Sequence, residues 1–224
     1  RGANLHKTLN EAMRADEPRT FEATCRDRRI QHKSLPYARF RLVMKNRWEY
    51  TGQKRPSFAE TPGVGQESVW DYPRPPKLVA DRRRVIVRFQ AMPVAASNET
   101  YRVLETAGPP TFYIPPKDVR LELLQSFPGT SICEWKGAAK YWALKTSTPP
   151  REAVGWSYLT AQPPYELIAG YFSFYPGRLE CFVDNERVRP QSGFFYGGWV
   201  TDEIVGPWKG EPGAPGWWWE ARFP

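Results

Sequence analysis

SICEWKGAAKYWALKT, running from Ser131 to Thr146, sets a thiol, an ammonium group and three large aromatic residues within ten positions. Two short runs, SICEW (Ser131–Trp135) and AKYWALKT (Ala139–Thr146), stand either side of Lys136-Gly137. Both are rich in residues that suit a pleated, half-buried surface, and glycine lets the backbone turn between them. With the first strand ending near Trp135, alternation puts Cys133 and Trp135 on one face and Glu134 and Lys136 on the other. The stretch therefore reads as scaffold first, a pair of strands whose end can line a cavity.

The same texture extends in both directions. Upstream, RRVIVRF (Arg83–Phe89) alternates Val85, Val87 and Phe89 against Arg84, Ile86 and Arg88, and a Met-Pro turn then leads into Val94–Ser97. That is a hairpin with one apolar face. Asn98 is expected to cap a short helical or turn-like segment through YRVLE, ended by Gly108–Pro110. TFYI (Thr111–Ile114), VRLELL (Val119–Leu124) and AVGWSYL (Ala153–Leu159) are further strands, each bounded by Pro, Gly or Ser-Thr-Pro. A short helix over Pro164–Ala169 precedes GYFSFY and RLECFVD, read as the last two strands and joined as a hairpin at Pro176-Gly177. Short runs at regular intervals between turn signals predict an antiparallel β domain.

Composition supports that class. The 224 residues include 23 Pro, 17 Gly, 10 Trp, 11 Tyr and 12 Phe. Proline breaks helices while aromatics favour strands, and the length suits one domain with appendages. Residues 1–43 are Arg-rich without sustained period, and are expected to be a basic, disordered extension. Residues 44–76 read as a Pro-rich extended arm, residues 77–192 as the β core, and residues 193–224 as a Gly/Pro/Trp-rich tail. The part of that tail from Gly193 to Gly210 should pack on the core, because exposed tryptophan is unfavourable in water.

The net charge of +8 is unevenly spread. Residues 1–43 carry ten Lys or Arg against five Asp or Glu, whereas residues 44–224 carry 22 against 19. The core is nearly balanced, so it is not expected to bind nucleic acid by charge alone. Three widely spaced cysteines, Cys25, Cys133 and Cys181, make no disulfide framework and fit a reducing compartment. There is no run of about eighteen apolar residues and no apolar segment near residue 1, so a soluble, cytoplasmic protein without membrane contact is expected.

Both histidines, His6 and His32, lie in the basic extension. From Met44 onward there is no imidazole for a Ser-His-Asp or Cys-His pair, and two remaining cysteines cannot assemble a four-ligand zinc site. Neither GxGxxG nor GxxxxGK[ST] occurs. No metal and no cofactor are expected.

Six blocks follow one another in order: ESVWDYPRPP (Glu67–Pro76), LETAGPPTFYIPPKDV (Leu104–Val119), CEWKGAAKYW (Cys133–Trp142), WSY (Trp156–Tyr158), AGYFSFYP (Ala169–Pro176) and YGGWVTDEIVGPWKG (Tyr196–Gly210). Over about residues 44–212 the sequence thereby resembles the domain of unknown function 427 family. The resemblance implies a mainly β, β-tent-like fold: antiparallel sheets pinched together at one end, here with an extended N-terminal arm and an irregular C-terminal tail. Many β-tents carry zinc; this sequence lacks those cysteines, so zinc is not carried over.

Chemistry-bearing residues fall into three sets. Lys136 is either an anion anchor, an amine with a depressed pKa, or a lysine paired with Glu67, Asp71 or Glu105. Cys133 is either a nucleophile or a small buried hydrophobe. The carboxylates Glu67, Asp71 and Glu105 suit acid/base work or ion pairing. Trp70, Tyr72, Tyr113, Trp135, Tyr141, Tyr196 and Trp199 bury apolar area yet keep a donor, and a cleft lined with such rings holds a planar or cationic small molecule. Trp70, Tyr72, Tyr196 and Trp199 are expected nearest its mouth. The expected function is binding of a small metabolite in this cleft, with catalysis open. The alternatives are a single-stranded nucleic-acid or protein-interaction module, motivated by Arg82–Arg84 and the stacking residues.

Overall fold

The computed structural model describes residues 50–146, 151–193 and 195–211. The basic extension, the start of the arm and the end of the tail lie outside the described residues.

Chain order begins with β1 (Glu67–Ser68), β2 (Lys77–Asp81), β3 (Val85–Phe89) and β4 (Met92–Ser97). Val85 and Val87 point fully inward, as their alternation with Ile86 and Arg88 dictates. The turn to β4 falls at Gln90-Ala91, where Gln90 takes φ 55°, so Met92 and Pro93 lie within the strand rather than in the turn. β5 (Thr100–Glu105) and β6 (Gly108–Tyr113) follow. Here the helical expectation for YRVLE fails: β5 is the central strand of the order β2-β5-β6. Thr100, Tyr101 and Val103 favour strands, and pairing on both sides outweighs the capping signal of Asn98. Pro109 and Pro110 are tolerated in β6 because it is an edge.

VRLELL is also not a strand. Leu121–Leu123 make a 3-10 turn, and only Leu124 starts β7 (Leu124–Cys133), pairing with Leu144 of β8 (Gly137–Leu144). The chain needs that turn to carry Arg120, held by the Val94 carbonyl, round to the new sheet. β9 (Gly155–Ser157), a 3-10 turn at Glu166–Ile168 and β10 (Phe172–Phe174) complete the order β10-β9-β8-β7. β11 (Glu180–Val183) does not pair with β10. It pairs with β3, Cys181 opposite Val87, in the order β12-β11-β3-β4, where β12 is Glu186–Arg187. Pro176-Gly177 thus passes the chain between sheets: Phe172, Phe174, Cys181 and Val183 meet across a shared core instead of along an edge.

The mainly β expectation holds, with several antiparallel sheets. β8 separates two interiors. Trp142 and Leu144 face the core that β3, β4, β10 and β11 fill, whereas Ala139 and Tyr141 face a second cluster holding Val103, Tyr113, Trp135, Trp156, Tyr158 and Tyr165. The last short strands, β13 (Arg189–Pro190), β14 (Trp199–Val200) and β15 (Ile204–Val205), were not foreseen. β14 pairs with β13, and β15 runs parallel to β1, so arm and tail are hydrogen-bonded to each other.

Candidate functional site

The hairpin loop between β7 and β8 is Glu134-Trp135-Lys136, and Gly137 closes it at φ 94°, in the left-handed region that glycine alone enters freely. β7 ends at Cys133, two residues earlier than alternation suggested. Lys136 consequently leaves the strand register and turns to the same side as Cys133. Both line a cavity of about 270 Å³. Its walls are β5 and β6 on one side (Val103, Glu105, Thr111, Tyr113) and β7 to β9 on the other (Cys133, Ala139, Tyr141, Trp156). Tyr158 and Tyr175 extend the second wall, and Phe195, Tyr196, Gly197, Gly198 and Lys209 of the tail complete the lining.

The rings hold one another. Trp156 donates its Nε1–H to the Tyr113 hydroxyl at 3.2 Å, and Tyr113 stands edge-on to the Trp156 ring at 6.4 Å. Ser131 Oγ and Tyr141 Oη share a hydrogen bond of 2.7 Å, and the Tyr175 ring lies 4.6 Å from Trp156. A Cβ on Gly197 would sit 2.2 Å from the Trp156 indole, and one on Gly198 would be 2.2 Å from Gln191 Oε1. The paired glycines let the tail lie directly on the ring wall.

Lys136 is 6% exposed, and among the described residues no carboxylate lies within 4.0 Å of its ammonium. Its Nζ faces the rings of Tyr158 and Tyr165 at 5.7 and 5.8 Å from their centroids, and Cys133 lines the same cavity. Burial alone would lower its pKa. The acidic groups around it, Tyr113 and Cys133 first and Glu105 next, outweigh burial and hold it above the ordinary lysine range. The depressed-amine alternative is therefore overturned, and so is direct pairing with Glu67, Asp71 or Glu105. Burial pushes the hydroxyls of Tyr113 and Tyr158 up.

Glu105 is neutralised from outside: Arg74 binds it at 2.6 Å, while Lys209 stands 4.0 Å away. Arg74 also binds Glu134 and lies over the Trp135 ring at 5.3 Å, clamping the hairpin loop that presents Lys136. Burial pulls the Lys209 ammonium below the ordinary lysine range, against the attraction of Glu105 and with the repulsion of Arg74. Sequence reasoning passed over Lys209 as part of a turn-rich GPWKG. Its signal was available, since a lysine flanked by Trp208 in a segment that must fold back is carried inward with the indole.

Of the residues singled out from sequence, Lys136, Cys133, Glu105, Tyr113, Tyr141 and Tyr196 converge on this cavity, with Trp135 in the cluster behind it. The others do not join them. Trp70 and Tyr72 are buried in a separate cluster with Val69, Leu104 and Ile204, where Trp70 donates to the Pro207 carbonyl at 2.8 Å. Glu67 accepts from Tyr72 at 2.6 Å and pairs with Arg102 at 3.2 Å. Asp71 pairs with Arg55 at the surface. Trp199 sits at the first core against Phe112 and donates to the Phe174 carbonyl at 3.0 Å. Trp70, Tyr72 and Trp199 are thus not at the mouth, because an indole or phenol with a ready backbone or carboxylate acceptor is better placed in an interior than beside water.

Among the described residues, no group of three or more His, Cys, Asp or Glu is arranged to hold a metal ion, and no helix is long and apolar enough to cross a membrane.

Residues 77–185 match the family model described as Domain of unknown function (DUF427). The chain carries a DUF427 domain. No curated protein matches the chain. The DUF427 match is narrower than the resemblance over residues 44–212: it takes in both ring walls, Cys133 and Lys136, and leaves Phe195 to Gly198 and Lys209 beyond it.

Proposed function

We propose that the protein binds a small anionic metabolite with a flat or unsaturated body in the cavity between β5-β6 and β7-β9. The observation that carries this is Lys136, a buried ammonium facing rings and a thiol, with no carboxylate beside it among the described residues. A cation taken out of water needs a partner, and a ligand carboxylate entering the cavity supplies one. Arg74 and Lys209 both pair with Glu105, the one carboxylate of the cavity wall among the described residues. The rings of Tyr113, Tyr141 and Trp156 offer faces and edges to an unsaturated body.

Thermal-shift measurements on the full chain with benzoate and with benzamide test this. Benzoate is expected to raise the melting temperature, benzamide to do so far less, and Lys136→Met to remove the difference. Equal shifts for acid and amide, or an unchanged benzoate response in Lys136→Met, would remove the basis of the reading.

A further inference from the structure

The two thiols of the described residues sit in opposite settings. Cys181 is wholly buried among Val85, Val87, Phe174 and Val183, and burial pushes its thiol up, away from reactivity. Cys133 opens on the cavity instead, where Lys136 and Tyr158 line the same wall. A sulfur attacks as its anion, which an adjacent ammonium stabilises, and the same ammonium can then receive negative charge developing on a nearby oxygen. Lys136 itself is held protonated and has no lone pair to offer, so the nucleophile of this pair is the sulfur.

We propose that Cys133 adds reversibly to a small carboxylate that also bears an aldehyde or ketone carbon, with Lys136 holding the oxygen as it becomes charged. This rests on the anion-binding reading and specifies the ligand class. In the step, the Cys133 sulfur bonds to the carbonyl carbon while the C=O π pair moves onto oxygen. That oxygen takes a proton from the Lys136 ammonium, which regains the one the thiol released. The product is a hemithioacetal or hemithioketal, all atoms and electrons are accounted for, and no oxidant or reductant is consumed. The ligand carboxylate is left to face Lys209 of the lining.

Peptide mass spectrometry of the full chain after brief alkylation reads the sulfur directly. Iodoacetate should label Cys133 roughly tenfold faster than iodoacetamide, once each rate is divided by its rate with a small free thiol, because the wall cations concentrate an anion. Lys136→Met should abolish the preference and Lys136→Arg restore it, which separates charge from packing. Glyoxylate should protect Cys133 from iodoacetamide while acetate does not, and native mass spectrometry should show one glyoxylate retained by wild type and none by Cys133→Ser. Equal protection by acetate and glyoxylate would overturn the addition while leaving anion binding intact. Absence of both protection and iodoacetate preference would overturn the two together.

Discussion

Two parts of this molecule bury positive charge, and they do so in opposite ways. Beneath the arm, Arg83 and Arg102 are locked among three carboxylates: Arg83 to Asp81 at 2.7 Å and Glu203 at 2.5 Å, Arg102 to Asp81 at 3.1 Å and Glu67 at 3.2 Å. Every charge there has an opposite charge in hydrogen-bonding range, and the network ties β1, β2 and β5 to the tail. Across β5, Lys136 is hidden more deeply than either arginine but faces phenol rings and a thiol at the cavity. The first arrangement is complete, and holds the fold. The second is complete only when something negative enters, which is the mark of a site rather than of a brace.

The comparison breaks most visibly at Arg102. Removing one partner of a closed network strands its neighbours, so Arg102→Met should cost about 3–5 kcal/mol in denaturant unfolding. A loss below about 1 kcal/mol, the range of exposed pairs, would mean that the network is solvated and the contrast with Lys136 is false.

Acid sharpens the same contrast. Burial alone would raise the pKa of Asp81 and Glu67. Hydrogen bonds from Arg83 to Asp81, and from Tyr72 and Arg102 to Glu67, outweigh it and hold both carboxyls below their usual range. Since their folded values are depressed, their contribution is full above the unfolded carboxylate range near pH ~4 and is lost as pH falls through the folded values. Melting temperature should stay flat from about pH 7 to 5 and drop below about pH 4, and Arg102→Met should flatten that drop. An acid limb unchanged by the substitution would place the sensitive carboxylates elsewhere.

The smallest effect is expected at Lys136. Lys136→Met keeps most of the side-chain length and removes a buried charge that has no carboxylate within 4.0 Å among the described residues, so unfolding free energy at pH 7 should remain within about 1 kcal/mol of wild type. A loss comparable to that of Arg102→Met would make Lys136 a structural cation.

How much of this was legible follows from which signals are local. The alternation of Val85 and Val87 and the glycine after Lys136 each act over a few residues, so the mainly β class could be read directly. Sheet membership could not. Phe172, Phe174, Cys181 and Val183 carry the same pattern whether they pair edge to edge or pack face to face, and only the shared core decides. The same limit separated the candidate residues. CEWKG puts Cys133 and Lys136 three positions apart, so their meeting depended only on where the loop begins. Trp70, Glu67 and Trp199 looked equally suited to a cleft, but their partners, Pro207, Arg102 and the Phe174 carbonyl, are distant in sequence and invisible to local reasoning.

The stretch from Gly197 to Trp199 has one further consequence. Gly197 rests on Trp156 and Gly198 on Gln191 and Pro109, while the next residue plugs the neighbouring core with a fully buried indole. Lifting this segment would drag that plug into water, at a cost on the order of 3 kcal/mol. It is therefore a fixed ceiling and not a door, whereas Ile132 and Phe195 of the same lining are 65% and 68% exposed.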